Sequence, residues 1–247
     1  MIAKDAILFL REDILDDVAI PYLWSDKELL RGLNYAEVQA CRRGHLLIDE
    51  ITENDSGTAS TAGTAGQKPL CLLNLIAGQA TYDLSPKILM VKRCQIIGMN
   101  YPITGPLTYS EIDELMFGWR GTSGTVGTSG EGGFPSAFIN EPGNTITFVL
   151  APYSDGIANL TVSRLPLMPF TFEGSPEINE SYHRGLLNWA AHLAFMKPDS
   201  ETFNANRASY YEKIFTDEFG PLPNARSEHL RKTMMMQSRM RPRQFGS

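Results

Sequence analysis

Four histidines, at positions 45, 183, 192 and 229, are the first residues to test for chemistry. No HExxH motif occurs, and no two of them sit four apart on a helix as a zinc protease requires. His183 and His192 fall on one expected helix nine residues apart. That spacing is about 2.5 turns, so the two rings face nearly opposite sides and share no metal. Each reads as a satisfied or solvent-facing imidazole. Cys41, Cys71 and Cys94 are widely spaced with no CxxC, which indicates reduced, partly buried thiols rather than a zinc knuckle or a redox pair.

Glycine-rich stretches invite a phosphate-binding reading, and they fail it. Gly121, Gly124 and Gly127 give GxxGxxG, not GxGxxG, with no strand–turn–helix around them. Residues 63–68, GTAGQK, lack the Gly-Lys-Ser/Thr ending of a P-loop. Ser129 lies in GTSGE, where Glu131 replaces the second glycine of a nucleophile elbow. Asp13, Asp16 and Asp17 cluster beside Glu12, but without the alternating oxygen ligands, glycine and distal Glu of a calcium loop. They read as a solvated acidic face. No catalytic residue, cofactor site or metal site is therefore assigned, and the chain is expected not to be an enzyme.

The C-terminus is the strongest candidate for a binding role. Net charge is −6 overall, yet residues 225–247 carry six cations against Glu228 alone, a local +5 that leaves −11 for the rest. An acidic body with a basic tail marks an interaction arm. The run HLRKTMMMQSRMRPRQF adds methionines, which adapt to irregular grooves, and an aromatic end. Its candidate contact residues are Arg226, Leu230, Arg231, Lys232, Met234, Met235, Met236, Arg239, Met240, Arg241, Arg243 and Phe245. Three readings stand: a disordered basic terminus, docking into a neighbouring protein, and contact with nucleic acid. Regular aromatic interleaving, which single-strand binding would favour, is missing.

The elements that must carry this arm read as helices, then strands, then helices, an α+β order rather than alternating βαβ units. Helices are expected near 3–16 and 25–48. Ser25 and Glu28 form a capping box, Trp24 and Leu29 can staple it, and Leu29, Leu33, Ala36 and Ala40 recur at helical spacing with Leu47 further on. Arg42 and Arg43 suit the C-terminal end of the helix dipole. Strands are expected near 69–76, 79–84, 87–99, 101–109, 135–140, 144–150 and 157–164. Pro142-Gly143-Asn144 is the best hairpin turn, and Ile146, Phe148 and Leu150 alternate with Thr147 and Val149.

A second helical block is expected from Ser175-Pro176-Glu177, with a stripe of Ile178, Tyr182, Leu186, Trp189, Leu193 and Met196, ended by Pro198. Another helix runs from Asn204 to Phe219 with Gly220 as its cap. A last, basic helix is expected over 224–240. The fold class is then α+β: a helical bundle built from N- and C-terminal helices, an inserted small antiparallel β-sandwich or barrel, and an extended C-terminal arm. The domains are 1–53, a flexible loop 54–67, the β insertion 68–172 with a Gly-rich loop at 118–133, helices 173–220, and the arm 221–247. No run of about 18 apolar residues is present, so no membrane association is expected. The charges Lys4, Asp5, Arg11 and Glu12 interrupt the N-terminus where a secretory signal would be apolar.

Two stretches carry a resemblance. YLWSDKELLRGLNYAEVQACRRGHLL (22–47) and SPEINESYHRGLLNWAAHLAFMKPDSETFNANRASYYEKIFTDEFG (175–220) together resemble the head-to-tail adaptor, or connector, proteins of tailed phages, especially short-tailed ones. The resemblance implies a ring of twelve copies beneath the portal protein, in the virion neck, after synthesis in the host cytoplasm. It implies that the arm residues named above bind the portal. The other end would receive a tail nozzle, tube or hub protein. Double-stranded DNA would pass through the lumen without sequence recognition, and acidic walls would keep phosphate from sticking. The alternative is a phage-encoded cell-wall hydrolase, which would need two carboxyl groups in one concave site. A freestanding sugar-binding β module is weaker, because helical blocks flank the strands.

Overall fold

A computed structural model describes residues 1–55, 68–99, 102–115, 135–141, 144–199 and 201–224. Most of the glycine-rich loops, including Gly121, Gly124, Gly127 and Ser129, lies outside the described residues, as do His229, the hairpin residues Pro142 and Gly143, and the arm with its expected helix from 225 onward. The chain divides into two compact units, Met1–Leu47 with Arg164–Pro223, and Ile48–Ser163.

The first unit is helical. Helix α1 (Ala3–Phe9) runs into a π-helical turn, Leu10–Leu15, that ends where Asp16 takes a left-handed conformation. Helix α2 spans Asp26–Gly44. Its capping box forms as the sequence predicts: the Glu28 N–H donates to Ser25 Oγ (3.3 Å) and the Ser25 N–H to Glu28 Oε2 (3.0 Å). Trp24 and Leu29, on either side of the cap, enter one core with Leu33, Ala36 and Ala40. The helix stops sooner than the apolar spacing suggests. His45 is left-handed (φ 50°) and its N–H closes on the Cys41 carbonyl, so Leu47 opens strand β1 (Leu47–Asp49) instead of extending the stripe.

Helix α3 (Tyr109–Leu115) lies in the second unit, and helices α4 (His183–Phe195) and α5 (Ala205–Phe219) complete the first. Helix α4 begins later than Ser175-Pro176-Glu177 implies. The Glu177 and Ile178 N–H groups donate to the Glu37 side chain of α2 (2.5 and 3.3 Å), an acceptor that replaces a helical turn there. A 3-10 turn, Glu180–Tyr182, capped by Asn179, then leads into α4. Asn204 caps α5 by accepting from the Arg207 N–H (3.0 Å), and Gly220 follows at φ 92°. Helices α2 and α4 meet at Gly32 and Ala190, where small residues let the backbones approach. Aromatic pairs fill the remainder: Trp24 on Phe195, Phe195 on Tyr211, Trp189 on Phe215 and Phe215 on Phe219. Each pair adds about 0.5–1.5 kcal/mol beyond its buried area.

The second unit holds strands β2 (Leu72–Leu75), β3 (Thr81–Asp83), β4 (Ile88–Ile96), β5 (Ala137–Glu141), β6 (Thr145–Val149) and β7 (Gly156–Arg164). Among the described residues they form two open sheets rather than a closed barrel. One is four-stranded, ordered β1-β7-β2 with β4 also on β7, and the other is three-stranded, β3-β6-β5. The described ladders β2–β7, β3–β6 and β5–β6 are antiparallel. The β5–β6 hairpin turns at the expected place, with Asn144 at φ 57°.

Two expectations fail in this unit. The alternation in β6 breaks at its end, because Val149 is fully buried and Leu150 takes a left-handed φ of 69°. Val149 packs with Leu107, Ile112, Ala137 and Ile139, so both faces of the strand end are covered. Among its described residues the run 101–109 forms no strand, making isolated bridges at Ile103 and Thr104 before α3 starts. A second capping box starts that helix, with the Thr108 N–H donating to Glu111 Oε2 (2.8 Å) and the Glu111 N–H to Thr108 Oγ1 (3.2 Å).

Candidate functional site

The candidate arm residues, Arg226 through Phe245, lie outside the described residues, whereas the helix end from which the arm departs does not. The α5 terminus is held by Arg43 at the end of α2. Arg43 Nη1 donates to Thr216 Oγ1 (3.1 Å) and to the Gly220 carbonyl (3.1 Å). Its guanidinium lies over the rings of Trp189 (4.7 Å) and Phe215 (4.9 Å). Arg43, a cation placed to suit the helix dipole, is also buried, and it ties α2, α4 and α5 together.

The acidic cluster divides in two. Glu12, Asp13 and Asp16 are exposed, as the sequence suggests. Asp17 is not: it is 4% exposed and pairs with the equally buried Arg11 at 2.5 Å. Arg11 also donates to the Trp24 carbonyl (2.6 Å) and to Asp26 (2.7 Å). Asp17 accepts the Leu23 N–H (2.9 Å) and the Trp24 N–H (3.3 Å). Burial of both charges is tolerated because both Asp17 oxygens and both Arg11 Nη atoms have hydrogen-bond partners. In the sequence Arg11 is only a charge interrupting an apolar stretch, and nothing in its spacing names Asp17 as its partner.

Glu37 is a second buried carboxylate, 1% exposed, and its pKa is pushed up to about 7 because burial disfavours the charge more than its two N–H donors favour it. Glu37 lines neither of the two described concavities. The neighbouring Glu177 is engaged by Arg164 (2.6 Å) and by the Leu167 N–H (2.7 Å). Asn34 completes this seam by bonding the backbone of Phe170 at both its N–H (2.8 Å) and its carbonyl (3.1 Å).

His183 and His192 each bond a backbone carbonyl, of Ile178 (2.9 Å) and Ala208 (3.0 Å) respectively. Cys41, Cys71 and Cys94 are buried thiols outside any disulfide, and burial pushes Cys41 and Cys94 up to about 12. Among the described residues no three His, Cys, Asp or Glu side chains are grouped to hold a metal ion. No described helix is long and apolar enough to cross a membrane.

An apolar groove of about 550 Å³ opens between α2 and α4, beside Trp24, Gly32, Tyr35, Ala190, Leu193 and Met196. A smaller cavity, about 210 Å³, lies in the second unit near Ile97, Pro152 and Tyr153. Buried polar side chains fix backbone segments of the first unit, and the larger concavity is mainly apolar.

Comparison with curated proteins gives no match. Comparison with protein families matches residues 1–243 to the family described as SU10 adaptor protein, a span that includes both units and nearly all of the basic arm. The chain belongs to the SU10 adaptor protein family, the structural adaptors of phage particles.

Proposed function

We propose that this adaptor joins the portal to the tail of a short-tailed phage. Twelve copies close into a ring in the virion neck and continue the DNA channel. The arm, residues 221–247, reaches the portal through the basic, methionine-rich side chains from Arg226 to Phe245, and a tail nozzle, tube or hub protein seats on the opposite end. In this reading the helices of residues 1–53 and 173–220 act as the rigid bundle, and residues 68–172 as the β insertion.

The observation that carries this reading is the family match, which runs through the arm to residue 243. Charge supports it, since the −11 borne outside residues 225–247 repels phosphate while the +5 arm is drawn to acidic protein surfaces. Arms that order on assembly lose entropy, and a ring of many copies offsets that loss through avidity. Deletion of residues 225–247 tests the reading. The truncated chain is expected to fold and to be missing from particles, and its normal incorporation would refute the docking role. Electron microscopy of the protein bound to its portal would count the copies directly.

A further inference from the structure

Between the π-helical turn and α2 the chain makes a loop whose base is buried and whose tip is not. Arg11 and Asp17 close the base through the five contacts described above, and Arg11 also lies 3.9 Å from the centre of the Tyr22 ring. From this base project Val18 (61% exposed), Ile20 (83%), Tyr22 and Leu23. A buried ion pair adds little stability over apolar side chains of the same volume. Here it holds a hydrophobic tip in one shape, which lowers the ordering cost when the tip binds.

The groove between α2 and α4 lies next to this loop. Trp24 lines it, and Lys197 on its rim donates to the Leu23 carbonyl (3.3 Å). Tyr35 and Met196, both about half exposed, flank it. The tip is a run of four exposed apolar side chains, and Tyr35 and Met196 are the exposed apolar side chains that flank the groove. Charges agree as well. Exposed Asp13 and Asp16 stand near the loop, while the groove rim carries Arg31 and Lys197, the latter paired with Glu28 (3.3 Å).

We propose that the apolar tip, residues 18–23, docks into the α2–α4 groove of a second copy of this chain. This inference rests on the ring reading above. A knob and a groove on one chain are the parts a head-to-tail contact needs, because a copy that gives its knob to one neighbour keeps its groove for another.

The test places a photo-reactive benzoyl-phenylalanine at position 20 of the full chain, which is then assembled into phage particles and irradiated. The expected product is a covalent dimer of this chain, joined at residues 29–35 or 190–198. A cross-link to a different protein, a dimer joined elsewhere, or incorporated protein that yields no cross-link would each overturn the inference. Ile20→Asp and Met196→Asp alter exposed side chains, so their melting temperatures should match the parent's. Each is expected to lower incorporation at least ten-fold, and parent-level incorporation of both would also sink the idea. If the parent chain is itself missing from particles, the adaptor reading fails first. If it is present and only the cross-link disagrees, the fault lies with this contact alone.

Discussion

The Arg11 guanidinium and the Asp17 carboxylate meet at 2.5 Å with side chains only 6% and 2% exposed, and they close the loop that leads into α2. Six residues separate them in sequence, and a π-helical turn followed by a left-handed Asp16 turns the second back onto the first. Removing either partner leaves the other charge buried and unpaired. Asp17→Asn and Arg11→Met are each expected to destabilise the fold by about 3–5 kcal/mol. The double variant should cost clearly less than the two single effects combined, because the residues interact. Chemical denaturation of the three variants measures this, and strictly additive losses would show that the pair is not coupled.

Glu37 gives the fold a pH dependence of defined sign. Burial, the dominant cause, raises its pKa from 4.5 to about 7 in the folded chain. The folded state therefore binds the proton more tightly than the unfolded state does. The associated stability is fully present below about pH 4.5 and is lost as pH rises through about 7. Each pH unit between those two values is worth about 1.4 kcal/mol, so the loss is about 3 kcal/mol at most. Glu37→Gln keeps a carbonyl oxygen to accept the Glu177 and Ile178 N–H groups but cannot ionise. Its denaturation midpoint should vary less between pH 4.5 and 8 than the parent's, and parallel profiles would exclude Glu37 as the source.

Local signals are where the sequence is most informative. The Ser25–Glu28 box, the helix start at Asn204, Gly220 after α5 and the β5–β6 turn all depend on residues within a few positions of one another, and the structure has each at its expected place. The misses have a common physical form. Thr108-Tyr-Ser-Glu111 is a capping box as legible as the first, yet the apolar run before it favours a strand. The start of α4 depends on Glu37, 140 residues from Glu177, and no periodicity in a single sequence reports such an acceptor. Arg43 and Arg11 look like ordinary surface cations because their partners are carbonyls and rings brought in by tertiary packing. The expectation of a binding arm comes from charge and methionine content, which are compositional and need no fold, and residues 225–247 lie outside the described residues.

Ser25→Ala removes the acceptor for the Glu28 N–H at the start of α2 while leaving every buried contact in place. A cost of about 1 kcal/mol is expected, typical of losing an N-cap. Glu28 would lose the Ser25 hydroxyl bond but keep the backbone N–H of residue 25, the first of the contacts that lower its pKa. Unchanged stability in Ser25→Ala, read by chemical denaturation, would contradict the capping role.

Arg43 joins body stability to the point where the arm begins. Its side chain fills space between Trp189 and Phe215, and one nitrogen holds both Thr216 and the Gly220 carbonyl just past α5. Arg43→Ala removes packing and hydrogen bonds together, so a loss of about 2–5 kcal/mol is expected, comparable to other large-to-small changes in a core. Arg43→Lys keeps the charge and most of the stem but cannot reproduce the planar stacking on two rings. It should recover part of the stability. Amide exchange should separate the two contributions. If Arg43 secures the helix end, the N–H of Gly220, bonded to the Thr216 carbonyl, exchanges faster in Arg43→Lys while the centre of α5 stays protected. Uniform acceleration along the whole of α5 would instead assign Arg43 a purely global role in the core.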